Sequence, residues 1–394
     1  MLSADTQTLS KLISGRERGL DLDSFSPADW DTLARKAYAE GVGPLLYWRI
    51  SKIENVSSLP DETRSFLRLL YAGTHLQNQV LFKELEQLAS DLHQAGIPAV
   101  VLKGACLALT VYPDLGLRPM GDVDVLVPTP KLDEAVGIAK SLGFVDAAPE
   151  ASPGLHELLS HHVSLQKAGS QAVIVEIHDR LAGEDAFSFA VPVGWFWEQA
   201  EPLDNSSLMQ FQSLLMLSPV AQILYAAGHA MLQHGGENAP LRWFYDLDLL
   251  IRHYHERMDW DLLLSQAKTF EWGSALAAAL FRTVTYFNTP VPKTVLAALA
   301  QATDRHRELV ALKQSRSETH ILLERQKLLS LNLYGRIRLI LALLVPNPAY
   351  MRHRYHLKSS WMLLFYYPFR WWLILKDALR TLIVIVRNLY VPSQ

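Results

Sequence analysis

The sequence predicts an α+β protein: a small mixed β-sheet core with helical regions before and after it. Three observations carry that expectation. Residues 99–128 read AVVLKGACLALTVYPDLGLRPMGDVDVLVP, two short apolar strand candidates (99–102 and 123–127) enclosing a turn and a short apolar helix. A second pair of strands, 162–167 and 172–178, meets across Gly169-Ser170 as a hairpin. Before residue 95 and after residue 203, apolar residues recur at helical spacing. Strand, helix, strand, helix and hairpin, in that order, place helices on one face of a mixed sheet.

The elements divide the chain into four regions: a helical one (1–95), the α/β core (96–202), a helical bundle (203–330) and a tail (331–394). In the first, Trp30, Leu33, Ala34, Ala37 and Tyr38 share a helix face, and Gly41-Val42-Gly43 breaks the run. A longer helix over 60–95 aligns Leu81, Leu85, Leu88 and Leu92 and stops at Gly96. In the core, Thr129-Pro130 is an N-cap and first-turn pair for a helix over 131–142 that ends at Gly143. Residues 146–160, with Pro149, Pro153 and Gly154, read as a loop. The bundle's clearest helices are 214–231, 241–253, 260–267 and 274–287, with Pro290 and Pro292 after them.

The chemistry gathers on the strand at 123–127. Asp122 and Asp124 stand two residues apart at its start, so alternation points both carboxylates to one face, ~7 Å apart along the strand. Val123, Val125 and Val127 take the other face. Two like charges beside a buried strand repel and lose hydration, so a cation is expected between them. A hard divalent ion suits carboxylate oxygen; a solvated turn is the plainer alternative. Glu176 interrupts the apolar run of 173–177, so it either faces water from an edge strand or adds a third carboxylate. Lys103-Gly104 occupies a strand-to-helix turn, where backbone N–H groups and a lysine attract anions. Arg118 is placed to neutralise a phosphate, with structural pairing to Asp114 or Asp122 as the competing account. His178 follows Glu176 on the same strand face. His229 and His234 lie near Gly235-Gly236, ahead of Arg242, Asp246 and Asp248, and their spacing of five does not set two zinc ligands on one helical face.

The run of LKG, an apolar helix, Tyr, Arg and GDVDVLV resembles the nucleotidyltransferases of the DNA polymerase beta-like superfamily. More narrowly it resembles their bacterial "nucleotidyltransferase family protein" branch, through VEIHDRL (175–181) and GHAMLQHGGENAPLRWFYDLDLLI (228–251). The resemblance spans roughly 30–355. One departure is that the superfamily's turn is usually Gly-Ser or Gly-Gly and lies closer to its acidic pair. The resemblance implies transfer of a nucleoside monophosphate from an NTP to a hydroxyl acceptor, on a sugar, a small molecule or a protein. It implies Asp122, Asp124 and Glu176 as ligands of Mg2+, or Mn2+ in its place, in a two-metal site. It further implies Lys103, Gly104 and Arg118 at the nucleotide, and His178, His229 and Arg242 at the second substrate.

Composition bounds the partners. With 49% hydrophobic residues the chain can bury sizeable cores, and its single cysteine, Cys106, suits a reducing compartment. No secretory signal opens it and no apolar run reaches the ~18 residues of a spanning helix, so a cytoplasmic protein is expected. Residues 331–394 hold nine Lys/Arg against one Asp, a charge of +8, which sets residues 1–330 at −11 under the overall −3. A body this acidic is not expected to bind extended nucleic acid. The aromatic, basic tail has two readings: apolar stripes buried on the bundle, or a surface for an anionic membrane (the inner membrane face) or a protein partner. Two rival functions stand beside the transferase. One is a non-catalytic, membrane-associated accessory protein of polysaccharide or natural-product biosynthesis that keeps the fold; the other is a metal-dependent hydrolase.

Overall fold

The computed structural model describes residues 3–16, 20–53, 56, 58–149, 151–152, 162–170, 173–181, 191–203, 211–233, 239–304 and 333–390, with backbone alone at 377–378 and 380–390. Four helices precede the sheet. Ser3 caps α1 (Ala4–Ile13), and Ser26 with Asp29 forms a reciprocal capping box on α2 (Pro27–Ala39), with Pro27 in its first turn. The short α3 (Gly43–Ile50) leads to α4 (Asp61–Gln94), whose buried stripe includes Leu81, Leu85, Leu88 and Leu92. Asn78, fully buried on α4, donates to the carbonyls of Leu115 and Arg118 and so pins the loop that approaches the acidic strand.

The sheet follows. Its elements are β1 (Ala99–Val101), α5 (Lys103–Thr110), β2 (Val123–Leu126), α6 (Leu132–Ser141), β3 (Phe144–Asp146), β4 (His162–Lys167) and β5 (Ile174–His178). After them come α7 (Gly194–Glu198), β6 (Ala200–Pro202) and β7 (Leu214–Leu217). Seven strands order as β3-β4-β5-β2-β1-β7-β6. The sheet is mixed: β2 runs antiparallel to β1 and parallel to β5, and β1 runs parallel to β7. The apolar faces of β2 and β5, carrying Val123, Val125, Val175 and Ile177, are fully buried, with α6 packed on β5 and β3 and α4 on β1 and α6.

The stretch 214–217, expected to open a helix, is a strand. Leu-Leu-Met-Leu is a short apolar run that periodicity alone does not assign. Ser218 then caps α8 (Pro219–Gly228) with Pro219 in its first turn, so the helix starts only there. A π-helical turn, His229–Gln233, continues it. The bundle is completed by α9 (Leu241–His253), α10 (Trp260–Thr269), α11 (Gly273–Phe287) and α12 (Lys293–Ala300), with α8, α9 and α11 packed together. His234, Gly235 and Gly236 lie outside the described residues, as do 305–332 and much of the loop expected over 146–160.

The tail forms α13 (Leu333–Leu344), α14 (Pro348–Arg354) and α15 (Leu363–Tyr390). The reading in which its apolar stripes are buried holds for Leu339, Ala342, Met351 and Leu357 and not for Trp361, Leu364, Phe365, Trp372 and Leu375, which are exposed. Among the described residues no helix is long and apolar enough to cross a membrane.

Candidate active site

The site grows from strand register. Asp124 on β2 is the cross-strand partner of Glu176 on β5, and His178 is the partner of Leu126. On the far side of β5, Ser164 faces Glu176 and His162 faces His178. Cross-strand partners share a face and alternate residues along a strand share it too. One face of the sheet therefore carries Asp124, Glu176, His178 and His162, with Asp122 at the strand's entrance. Bulky β-branched residues on the other face hold this register, because a one-residue slip would turn the acids onto the apolar side and the valines onto the charged one.

Asp124 is the hub. Its side chain is 3% exposed, and Oδ1 accepts from Lys103 Nζ at 2.7 Å and from His178 Nε2 at 2.8 Å. Burial alone would raise its pKa, but the ammonium and the imidazole overcome that and hold it well below the usual carboxylate range. Lys103 reaches Asp124 from the first position of α5, a residue with φ +46°, in the left-handed region that costs a side-chain-bearing residue energy. Burial opposes its charge; Tyr225 on α8, Asp124 and Glu176 outweigh burial and keep its pKa above the ordinary lysine value. Burial likewise works against a charged His178, and its bonds to Asp124 and Glu176 raise its pKa all the same.

Asp122 is under-neutralised by comparison. Burial, then repulsion from Asp124 and Glu176, pushes its pKa up to about 6, and no hydrogen bond or ion pair reaches it among the described residues. Glu176 lies 3.4 Å from His162 Nε2 through one oxygen and 3.5 Å from His178 Nε2 through the other. These three side chains offer ligand atoms all within 4.8 Å of one another. Burial, then the neighbouring His178, lowers the pKa of His162 to about 4, which leaves its ring neutral. Neutral imidazole beside carboxylates is a set of donors for a divalent cation.

The remaining expected residues fall around this centre. Arg118 is committed elsewhere: Nε and Nη2 donate to the two oxygens of Asp246 on α9 at 3.0 and 2.8 Å, so its partner is neither Asp114 nor Asp122. Tyr112 donates to the same carboxylate at 2.8 Å. Asp114 instead accepts from Tyr71 and from the Gly116 amide. Gly104 leaves room for Arg118, since a Cβ there would overlap Nη1 and stand 2.8 Å from Cζ. Arg242 donates to the Pro119 carbonyl at 2.9 Å, bracing the loop that leads to Asp122. Burial and the nearby Arg118 lower its pKa. His229 stacks edge-on against Trp243, with ring centroids 5.1 Å apart, one helical turn beyond Tyr225.

Two contributors lie outside the sequence's candidates. His162 had a usable signal, since a hairpin turning at Gly169-Ser170 sets it opposite His178. Tyr225 had none, because it arrives from a helix more than a hundred residues from Lys103, and Asp246, noted beside Arg242, gave no sign of its pairing with Arg118. No curated protein matches the chain. The family model described as "uncharacterised nucleotidyltransferase" matches residues 26–288, which contain every residue of the site. The chain belongs to that family of uncharacterised nucleotidyltransferases.

Proposed function

We propose that this protein transfers a nucleoside monophosphate from an NTP to a hydroxyl-bearing acceptor. The observation that carries this reading is the register of Asp124 against Glu176, with Asp122 beside them, within a chain of a nucleotidyltransferase family. What supports a divalent cation is the pairing of Asp124 with Glu176 across the strands and the repulsion that both add to burial in raising the pKa of Asp122. Asp122, Asp124 and Glu176 would hold magnesium, or manganese. Two such ions, when bound, supply charge neutralisation at the triphosphate and a lower pKa at the acceptor hydroxyl.

In this reading the acceptor oxygen bonds to the α-phosphorus, the bond to pyrophosphate breaks, and the hydroxyl proton passes to a carboxylate oxygen of Glu176. Lys103 carries a flexible positive charge at the start of α5, where backbone N–H groups also favour anions. Arg118 contributes by filling the space beside the turn at Gly104, its Nε–Nη2 edge being taken up by Asp246. Tyr225, His229 and Trp243 form an aromatic row next to Lys103 that suits a base or an acceptor ring.

Labelled NTPs incubated with the protein, magnesium or manganese and a cell extract test the proposal. Label should move to an acceptor, and Asp124→Asn and Glu176→Gln should each reduce transfer at least about a hundredfold, the scale of losing a catalytic metal or base. Full transfer by both variants would overturn it. A second reading, a non-catalytic member of the family, takes its support from Lys103, whose ammonium already neutralises Asp124. The two differ in whether divalent ions bind in competition with that contact, which titration calorimetry reads directly.

A further inference from the structure

The tail sets its apolar side outward. On α15 and the turn before it, Trp361, Leu364 with Phe365, Phe369, Trp372, Leu375 and Leu379 follow helical spacing along one side and are all exposed. Leu364 is 76% exposed, Leu375 59% and Trp372 52%. Hydrogen bonds tie α15 to the end of α13 and the turn after it: Tyr367 donates to the Pro346 carbonyl, Arg370 to that of Leu343, and the indole of Trp371, itself exposed, to that of Leu344. α13 repeats the arrangement, with Leu333, Ile337, Ile340, Leu341 and Leu344 outward and Leu339 and Ala342 inward. A soluble helix normally shows the reverse, and a contiguous exposed stripe of this size marks an interaction surface.

Charge identifies the occupant. The region carries +8 while residues 1–330 carry −11, so the apolar stripe lies in the segment with the chain's strong basic excess. Arg352, Arg354 and Lys358 are exposed on and just after α14. Lys376 Nζ lies 5.0 Å from the Trp372 ring centroid, and Arg338 lies 5.5 Å from that of Tyr334, so cationic heads ring the aromatic rims. Aromatic rings at an apolar face, edged by Lys and Arg, are what the boundary of acyl chains and anionic headgroups binds. A second copy meeting this face through two-fold symmetry would oppose basic side chains to basic side chains.

We propose that the outward face of α15, joined at its end by α13, docks the protein peripherally on an anionic phospholipid bilayer. Its two sources of attraction are separable. Rings and leucines enter the interface, and the cations hold phosphate headgroups with a strength that falls as salt rises. The proposal is independent of the transfer reaction, and its test reads no activity.

The test is co-sedimentation of the full chain with vesicles of phosphatidylglycerol and phosphatidylcholine in equal parts, beside vesicles of phosphatidylcholine alone. The protein should pellet with the anionic vesicles at low salt, less with the neutral ones, and less again at high salt. Leu364→Glu with Leu375→Glu should lower partitioning at least about tenfold, as loss of two buried leucines implies. Brominated acyl chains should quench the wild-type tryptophan fluorescence, a readout that does not depend on how the variant folds. Full-length protein that stays in the supernatant with anionic vesicles at low salt, and is unquenched, overturns the proposal. So does concentration-dependent self-association that the double variant abolishes while vesicle binding is absent.

Discussion

Arg118 occupies the space that a side chain at Gly104 would need. Its guanidinium crosses the first turn of α5 on its way to Asp246, leaving Cζ 2.8 Å from where a Cβ would stand and Nη1 closer still. The glycine of the Lys-Gly turn thus serves a close approach between a loop and a helix. Gly104→Ala should destabilise the protein by about 1–3 kcal/mol, the usual range for overpacking a filled core. A urea unfolding midpoint equal to that of the parent would mean that Arg118 moves aside at no expense.

Asp246 is the counterpart of that arrangement. It accepts three hydrogen bonds, two from Arg118 and one from Tyr112, all in the interior. Asp246→Ala would leave a guanidinium buried and unpaired, which should cost about 3–5 kcal/mol. Replacing both partners by apolar residues, Arg118→Met with Asp246→Leu, should recover a substantial part of that loss. Arg118→Lys should not rescue function, since an ammonium does not make the paired, planar contact. Chemical denaturation of the parent, Arg118→Met, Asp246→Leu and the double variant, as a double-mutant cycle, measures the coupling; independence of the two sites would contradict the structure.

Lys103 is expected to act on one substrate more than the other. In the proposed reaction Lys103→Ala should raise the KM for NTP more than that for the acceptor, because its charge stands at the phosphate side of the site. The same variant removes the cation on Asp124 beside Asp122 and Glu176, so affinity for divalent ions should change as well. Equal effects on both substrates in steady-state kinetics would assign Lys103 a purely structural role.

Cys106 is 1% exposed, and burial pushes its thiol pKa up to about 12 from an ordinary 9.0. The native thiol should alkylate with iodoacetamide at least about a hundredfold more slowly than in denaturant, because the thiolate is the nucleophile and is scarce here. The sign for stability follows. The folded state keeps a proton that the unfolded state loses, so this group's contribution is complete below pH 9 and falls as pH rises toward 12. Cys106→Ala should flatten that part of an alkaline unfolding curve; an unchanged slope would refute the assignment.

Local pattern carried most of the fold. Alternation along 122–127 put two acids on one face, and the hairpin at Gly169-Ser170 set Glu176 and His178 on a strand, features that depend on a period of two and a turn. What escaped depended on distance. Leu214–Leu217 has the composition of a buried helix start, and its pairing with β1 on one side and β6 on the other makes it a strand. Arg118 shows no local sign that its partner lies 128 positions away on α9. The tail's apolar stripe is legible as a stripe, but the side-chain hydrogen bonds from Tyr367, Arg370 and Trp371 to the carbonyls that tie α15 to α13 are encoded by no periodicity.

The pairing of β1 with β7 has a consequence for how the chain is made. Residues 99–100 lie against residues 214–215, so during synthesis β1 and its neighbour β2 leave the ribosome with one edge open. That edge stays unpaired until more than a hundred further residues have been added. Contacts of such long sequence separation form late, and an uncovered strand edge invites pairing with other chains. A nascent chain halted near residue 200 should therefore engage chaperones and resist compaction, and release past residue 217 should allow the sheet to close.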